Sequence, residues 1–276
     1  MEKEAASYPS DLTDDQWTVL ALLIGIQAGA GRPLKHDLRQ IVNAILYVIR
    51  CGIQWRSMPH DFPKWSTVYY HFRKWSVDGT WQKLNTAVRR QERSTHGRNV
   101  EPSGAIIDSQ SAKTTEAAPS GHPERGCDVH KQINGRKRHT LVDTRGNLLD
   151  VVVNAADSQD RDGAKLVFAK LPAATLASLQ KVWADNNYRG SDFLDWMQTK
   201  VAASLEITNR PANMKGFVVV PVRWIVERSL AWFGRFRRLS KDYEHCTKSS
   251  EGVIYVASIA TMLKRLKPDL SLPKRL

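Results

Sequence analysis

The chain has 276 residues, 42% of them hydrophobic, which is enough to bury a substantial core and excludes disorder as the expected state. Its 41 lysine and arginine residues and 28 acidic residues give a formal charge of +13, which indicates a polyanionic partner such as nucleic acid. Three widely separated cysteines, an acidic, polar N-terminus and no apolar run of membrane-spanning length predict a cytoplasmic protein without disulfides or membrane segments. A basic excess that only keeps the protein soluble is the alternative, but clustering of the basic residues beside aromatic ones suits a phosphate backbone better.

Helical periodicity dominates the first part of the chain. Asp14 is expected to cap a first helix, which ends at the glycine and proline residues of 29–33, and a second helix is predicted at 34–51. A third helix, predicted at 66–77, has apolar side chains on one face and polar side chains on the other. These helices predict an all-α, helix-turn-helix-like domain whose third helix contacts DNA. A helical scaffold that only packs on the rest of the chain is the alternative.

The segment 89–102 is rich in charge and poor in apolar residues, and it is interpreted as a linker. A helical DNA-binding domain with this linker is therefore expected at 1–100, and a second domain at 101–276. Short apolar runs in the second domain predict strands at 105–108, 138–143, 148–154, 181–185 and 202–208. Helices are predicted at 160–170, 192–200 and 221–239, a turn at 144–147 and a mobile loop at 114–135. The order of these elements predicts an α/β fold, a mixed sheet flanked by helices.

Two aspartates end apolar runs of the second domain: Asp108 follows Ala-Ile-Ile, and Asp185 follows Val-Trp-Ala. Aspartate is depleted in strands and costly in a dry interior, so both are expected in a polar site at the carboxyl edge of the sheet. Glu227 lies on the last predicted helix, where an ordinary surface ion pair with Arg223 is the alternative to a functional role. Carboxylates are ligands that Mg²⁺ prefers, so these three acids could form a metal-dependent phosphoryl-transfer site.

Five segments match one family in their order along the chain: Leu12-Thr-Asp-Asp-Gln-Trp17, the helix from Asn43 to Gly52, Trp55-Arg-Ser-Met-Pro59, Phe62-Pro-Lys-Trp-Ser-Thr-Val-Tyr69 and Lys241-Asp-Tyr-Glu244. With these segments the chain resembles the DDE transposases of bacterial insertion sequences, and it is most similar to the insertion sequence five family. The resemblance implies an RNase H-like fold with Asp108 on the opening strand and Asp185 on the fourth. It also implies a helical Arg-x-x-x-Glu motif, matched by Arg223 and Glu227.

The resemblance further implies what these three acids do. They hold two Mg²⁺ ions, for which Mn²⁺ substitutes, and the enzyme cleaves double-stranded DNA at the ends of a mobile element and transfers the strands to a target. A homodimer or higher oligomer on the DNA is expected.

The chain departs from the family pattern at Val220 and Gly234, where related transposases have tyrosine and lysine. Arg238, on the same face of the predicted helix as Glu227, is expected to replace that lysine at a phosphate. The residues expected to contact DNA are Tyr69, Arg73, Lys74, Lys137, Arg138, Arg189, Arg223, Arg235, Arg238 and Lys241.

Two other functions stay open. A metal-dependent nuclease would use the same site without strand transfer, and a non-catalytic DNA-binding regulator would use the N-terminal helices alone. Asp157 and Asp160 follow a predicted strand, but helix capping is the preferred interpretation of both. A zinc site that includes Cys127 and His130 is not expected, because the sequence has no second paired cysteine element.

Overall fold

The computed structural model describes residues 8–27, 37–115, 124–208 and 222–266, and a bundle of helices forms its N-terminal part. The helices are α1 (Asp14–Gln27), α2 (Leu38–Cys51), α3 (Trp65–Val77) and α4 (Thr80–Thr95). A reciprocal pair begins α1: Thr13 Oγ1 accepts from the Gln16 N–H, and Gln16 Oε1 accepts from the Thr13 N–H. Thr13 therefore caps this helix, and the expected cap, Asp14, lies in its first turn. The predicted helix end at 29–33 lies outside the described residues.

Capping interactions stabilise both ends of α2. Asp37 Oδ1 accepts from the Arg39 N–H at 2.9 Å, and Gly52, at a φ of 73°, closes the last turn with its own N–H. A side chain at Gly52 would meet Arg237 Cβ at 2.8 Å, so this helix end packs directly on the later chain. The connection to α3 contains a 3₁₀ turn, Trp55–Ser57, and is longer than the roughly three- or four-residue turn of helix-turn-helix proteins. The predicted all-α character of this region is confirmed, with a longer connection between α2 and α3.

The linker predicted at 89–102 is wrong, because its first half is the end of α4. The charged residues there are buried in ion pairs: Arg93 Nη1 lies 2.6 Å from Asp143, and Arg145 Nη2 lies 2.8 Å from Glu92. Because each charge has a fixed partner, it can be buried without the penalty of an isolated ion. The half of the segment that belongs to α4 is therefore anchored to the fold through these residues, whereas residues 97–100 are exposed.

A mixed sheet follows the helical bundle. Its strands are β1 (Gly104–Lys113), β2 (Gly126–Asp128), β3 (Ile133–Asp143), β4 (Leu148–Ala155), β5 (Lys181–Ala184) and β6 (Ser204–Ile207). β3 runs antiparallel to β1 and β4, and its first residues also pair with β2. β1 pairs in parallel with β5, and β5 in parallel with β6. When the short β2 is set aside, Asp108 lies on the first strand and Asp185 follows the fourth, as the RNase H-like fold requires.

Two predictions concern the connections of this sheet. The turn at 144–147 is confirmed: Asp143 accepts from the Gly146 N–H at 2.9 Å, and Gly146 has a φ of 82°. The loop predicted at 114–135 is wrong in part, because β2 and the start of β3 lie within it, and residues 116–123 lie outside the described ranges.

Helices cover both faces of the sheet: α5 (Asp160–Lys170), α6 (Ala173–Ser178), α7 (Ser191–Trp196), α8 (Trp224–Phe233) and α9 (Thr247–Leu263). One core lies between α5, α7 and the sheet, with Ile107, Leu141, Val167, Phe168 and Phe193. Another joins β4 to α9 and the N-terminal helices, with Val151, Val153, Tyr255, Trp81 and Phe72. The sheet is thus the middle layer of three.

The last predicted helix, at 221–239, is wrong in its second half. α8 ends at Phe233, the chain turns, and a separate 3₁₀ turn spans Arg237–Leu239. Arg238 therefore does not share a helical face with Glu227. α9 follows in a segment for which no helix is predicted.

Candidate active site

Asp108 and Asp185 lie at the same edge of the sheet. β1 and β5 run parallel, and their pairing ends with Ile106 opposite Trp183, just before both acids. Asp108 continues along β1 beyond this pairing, and Asp185 is the first residue after β5. Because parallel neighbours end side by side, the backbone alone brings the two carboxylates together.

The turn after β5 fixes the second acid. Asp185 Oδ1 accepts from the Asn187 N–H at 2.9 Å and so caps the short 3₁₀ turn Asn186–Tyr188. Tyr188 is completely buried, and burial together with the charges of nearby aspartates raises its pKa well above the usual value. This protonated ring belongs to the core on the α5 side of the sheet and holds the acid-bearing turn in place.

α8 is packed beside the two aspartates through its apolar face. Ile225 and Val226 form a small core with Ile106 of β1 and Val142 of β3. Glu227 follows on the helix, and its side chain is exposed. The third predicted acid thus lies on a helix that rests against the strand of the first.

Arg223 connects the second and third acids. Its Nε lies 3.2 Å from Glu227 Oε1, and its Nη2 lies 3.8 Å from Asp185 Oδ2. The pair with Glu227 is therefore more than a local helix contact, because the same guanidinium also reaches the strand edge.

The acids also influence one another's charge. Burial raises the pKa of Asp108 to about 6, and the negative charges of Asp185 and Glu227 add to this shift. The Ser109 N–H, which donates to Asp108 Oδ1 at 2.8 Å, and the charge of Arg223 oppose it. A positive ion beside Asp108 would lower this pKa, so the electrostatics favour cation binding at this edge.

Carboxylate oxygens are suitable ligands for a hard divalent cation, which makes the donor chemistry of the three acids appropriate. Within the described ranges, however, no three acidic, histidine or cysteine side chains already form a complete ligand set. The Arg223 guanidinium contacts Glu227 and Asp185, so a cation that uses Glu227 requires Arg223 to withdraw. The donor chemistry therefore fits a divalent metal, and Glu227 becomes available to it when Arg223 withdraws.

Two basic residues of β3 that were predicted to contact DNA are buried, with 9% of Lys137 and 5% of Arg138 exposed. Lys137 Nζ lies 3.2 Å from Asp160 Oδ1. Arg138 donates to the carbonyls of Leu239 at 3.0 Å and Lys241 at 3.2 Å. Both cations are thus committed to partners within the protein.

Arg238 is also buried, with 8% exposed. Its Nε donates to Glu244 Oε1 at 2.8 Å, and its Nη1 donates to the Ile53 carbonyl at 2.8 Å. These bonds tie the segment after α8 to the N-terminal bundle. Arg238 is therefore not placed to replace the family's lysine at a phosphate, contrary to the expectation from the sequence.

The remaining candidates for DNA contact are half-buried or exposed. Tyr69 is half-buried against Trp55, and burial raises its pKa. Its neighbour Tyr70 is 61% exposed and lies on the outward face of α3 with Val77. Sequence reasoning missed Tyr70, although its spacing from the basic residues of the same helix is the signal that could have found it. The exposed basic candidates are Arg73, Lys74, Arg189, Arg235 and Lys241.

Asp160 is a second residue that sequence reasoning assigned differently. Gln159 occupies the cap position of α5, and Asp160 accepts a hydrogen bond from Ser109 Oγ at 2.8 Å instead. Its carboxylate thus reaches the residue next to Asp108. No local pattern could show this, because the two residues lie on different elements.

An RNase H-like sheet with one acid on its first strand and another directly after its fourth defines a class of protein, the metal-dependent enzymes that cut and join nucleic acids. Residues 99–262 match the family model for the transposase DDE domain, and residues 12–85 match the model for transposases of the IS4/5 family. The chain belongs to the DDE transposase family. It is similar to the "Insertion element IS402 uncharacterized 16.2 kDa protein" of Burkholderia cepacia, with 26% identity over 113 residues that cover 38% of this chain and 75% of that protein. None of the helices in the described ranges is long and apolar enough to cross a membrane.

Proposed function

We propose that this transposase binds the terminal inverted repeats of an insertion sequence, cleaves the DNA at its ends and joins the freed 3′ ends to target DNA. The observation that carries the proposal is the meeting of Asp108 and Asp185 at one sheet edge, with Glu227 on the adjoining helix. Bacterial DNA in the cytoplasm is the proposed site of action, and the formal charge of +13 supports a DNA partner. Reaction at both ends of an element calls for two active sites, which a homodimer would supply.

Asp108, Asp185 and Glu227 would hold two Mg²⁺ ions, with Mn²⁺ as a substitute. The chemistry supplied at such a site is activation of an attacking water or 3′-hydroxyl and neutralisation of charge on the phosphate. The chain itself preorganises two of the acids, because the Ser109 N–H donates to Asp108 and the Asn187 N–H donates to Asp185. No side chain forms a covalent intermediate in this scheme.

Arg223 would have a second partner during the reaction. Once separated from Glu227, the guanidinium would remain beside Asp185, at the edge where the scissile phosphate would lie. Two parallel N–H groups suit two phosphate oxygens, so Arg223 would then hold the phosphate. Arg189, Arg235 and Lys241 are exposed and would contact the backbone further along the DNA.

Recognition of the repeats would fall to α3. Arg73 and Lys74 are exposed on this helix, and Tyr70 and Val77 share its outward face. The other side of the helix is buried, so the bundle presents the exposed face as a rigid unit. Such a face suits the major groove, with cations at phosphates and the tyrosine and valine at base edges.

The proposal is tested with a labelled duplex that carries the inverted repeats, in Mg²⁺, with wild-type protein and Asp185→Asn. We expect the variant to lose cleavage and joining by on the order of a thousandfold or more while it still shifts the duplex in a gel. Asp192→Asn is the matched control, because Asp192 is an exposed aspartate in the first turn of α7.

The other outcomes would either contradict the proposed site or indicate a different function. Equal activity of wild-type and Asp185→Asn protein would overturn the site. Cleavage without any joined product would identify a nuclease, and specific binding without cleavage by the wild-type chain would identify a regulator.

A further inference from the structure

The first turn of α5 contacts both segments that carry the aspartates of the site. Asp160 Oδ1 accepts from Ser109 Oγ at 2.8 Å, and Ser109 directly follows Asp108 on β1. The next helical residue, Arg161, donates from Nη1 to the Arg189 carbonyl at 3.4 Å, just beyond the turn that holds the second acid. One helical turn therefore contacts both the β1 residue that follows Asp108 and the segment that follows Asp185.

Ser109 is the link between this turn and the first acid. Its backbone N–H donates to Asp108 Oδ1 at 2.8 Å, while its hydroxyl donates to Asp160. Loss of the Asp160 carboxylate would remove the hydrogen bond that ties the β1 segment at Ser109 to α5. The backbone whose N–H orients the Asp108 carboxylate would then lose one of the contacts that fix its position, in addition to its pairing with β3.

A buried lysine holds Asp160 in this position. Lys137 Nζ lies 3.2 Å from Asp160 Oδ1 and donates to the Ser158 carbonyl at 2.7 Å. The two side chains are 11% and 13% exposed, so solvent screens the pair little. An acceptor in such a pair makes a strong, directional hydrogen bond, which suits it to fix Ser109.

Stabilisation of the helix N-terminus by negative charge is the competing explanation for Asp160. Asp162 lies in the same first turn, and its side chain is 66% exposed and 3.9 Å from Lys165. It therefore supplies the same charge to the helix without contact to β1. Helix stabilisation alone does not explain why Asp160 is turned inward to Ser109 and Lys137.

We propose that Asp160 is a positioning residue of the active site, which acts through Ser109 to orient the Asp108 carboxylate toward its divalent cation. This rests on the proposed function, in which Asp108 is a metal ligand. Residues that orient a metal ligand through hydrogen bonds raise the affinity of the site without touching the metal.

Binding of Mn²⁺ to the full-length chain without DNA, followed by electron paramagnetic resonance, tests the proposal. We expect Asp160→Asn to weaken Mn²⁺ binding by about tenfold or more, because loss of such an orienting partner has an effect of this size. Asp162→Asn removes the same charge from the same helical turn and should bind Mn²⁺ as the wild-type chain does. Wild-type affinity in Asp160→Asn, or an equal loss in both variants, would overturn the positioning role.

Ser109→Ala provides a second route that leaves the buried pair of Lys137 and Asp160 in place. If Asp160 acts through Ser109, this variant also weakens Mn²⁺ binding, and the double variant is no weaker than Asp160→Asn alone. Losses that add in the double variant would contradict the linkage, and so would unchanged binding in Ser109→Ala. Asp185→Asn tests the proposed metal site independently of Asp160. If this variant binds Mn²⁺ like the wild-type chain, the assignment of the metal site is wrong.

Discussion

At the scale of single residues, Gly163 determines how closely α5 approaches the sheet. A Cβ at this position would lie 2.2 Å from ring atoms of His139, whose Nε2 lies 3.1 Å from Asn154 Oδ1. His139 is completely buried, and burial lowers its pKa to about 4, so the ring is neutral at physiological pH. The missing side chain allows the approach that brings Asp160 to Ser109.

We expect Gly163→Ala to lower the free energy of unfolding by about 1 to 3 kcal/mol, the usual cost of overpacking a core. In an unobstructed helix the same change would stabilise by about 0.5 to 1 kcal/mol, so the sign of the effect reports the contact with His139. Urea unfolding measures it, with Leu166→Ala on the exposed side of α5 as the control. A variant as stable as the wild-type chain would show that α5 can move away from the sheet.

Charged residues show where sequence reasoning reaches its limit at this scale. Asp185 directly follows β5 and Glu227 lies on α8, as their sequence positions predicted, whereas β1 continues to Lys113, so Asp108 lies within its strand and not at the predicted end. Arg138 and Arg238, in contrast, look like phosphate ligands in the sequence, and both are buried with partners from distant segments. A buried arginine and an exposed one have the same local pattern, so only the fold separates them.

At the scale of elements, β4, β5, β6 and the β3–β4 turn follow their local patterns, whereas α4 and α9 depend on distant partners. The second half of α4 is charged, and it is helical because Glu92 and Arg93 meet the β3–β4 turn. α9 is buried on nearly all sides, so it lacks the polar face that identifies a helix in a sequence. Helices that depend on contacts with distant segments are therefore not predicted by the local sequence pattern.

The contact of α4 with the β3–β4 turn has a predictable pH dependence. Glu92 accepts from Arg145 Nη2 and from Asn147 Nδ2, each at 2.8 Å. Burial would raise the pKa of Glu92, but these hydrogen bonds and the charges of Arg265 and Arg145 outweigh it and hold the pKa below its usual value. A lowered pKa means that the ionised form stabilises the fold above the usual glutamate pKa of about 4.3, and that this stabilisation is lost as the pH falls through the folded-state pKa.

We therefore expect Glu92→Gln to lower the free energy of unfolding at pH 7 by about 3 to 5 kcal/mol, because it leaves Arg145 without its buried partner. Below about pH 4.3 the difference from the wild-type chain should shrink. Urea unfolding at a series of pH values measures both effects. Glu206→Gln, in an exposed pair with Lys181, is the control and should change stability by less than about 1 kcal/mol. A Glu92→Gln deficit that is constant down to pH 3 would contradict the assignment.

At the scale of the whole molecule, the N-terminal helices and the end of the chain share one core. α9 packs on β4 and also on α3 and α4, where a Cβ at Gly252 would meet Ser76 Oγ at 2.2 Å. Arg238 adds a link from the segment after α8 to the Ile53 carbonyl. The boundary near residue 100 stays a prediction, and the core of the N-terminal helices also includes residues of β4 and α9.

This shared core predicts one cooperative unfolding transition for the full chain. A fragment that begins at residue 99, where the second family match begins, would expose the side of α9 and β4 that the N-terminal helices cover. We expect this fragment to lack cooperative urea unfolding, followed by far-ultraviolet circular dichroism. A fragment with a sharp transition at the urea concentration of the full chain would show that the catalytic region folds alone.

The shared core also limits how a transposase of this build could come to recognise different inverted repeats during evolution. α3 presents one face to solvent, while its other face packs in the core that it shares with α9 and β4. If α3 recognises the inverted repeats as proposed, new repeat specificity would arise by exchange of outward side chains such as Tyr70 and Arg73, one substitution at a time. A hybrid that takes its first hundred residues from another transposase would place a foreign surface against α9, so a working hybrid has to inherit both ends of the chain from the same parent.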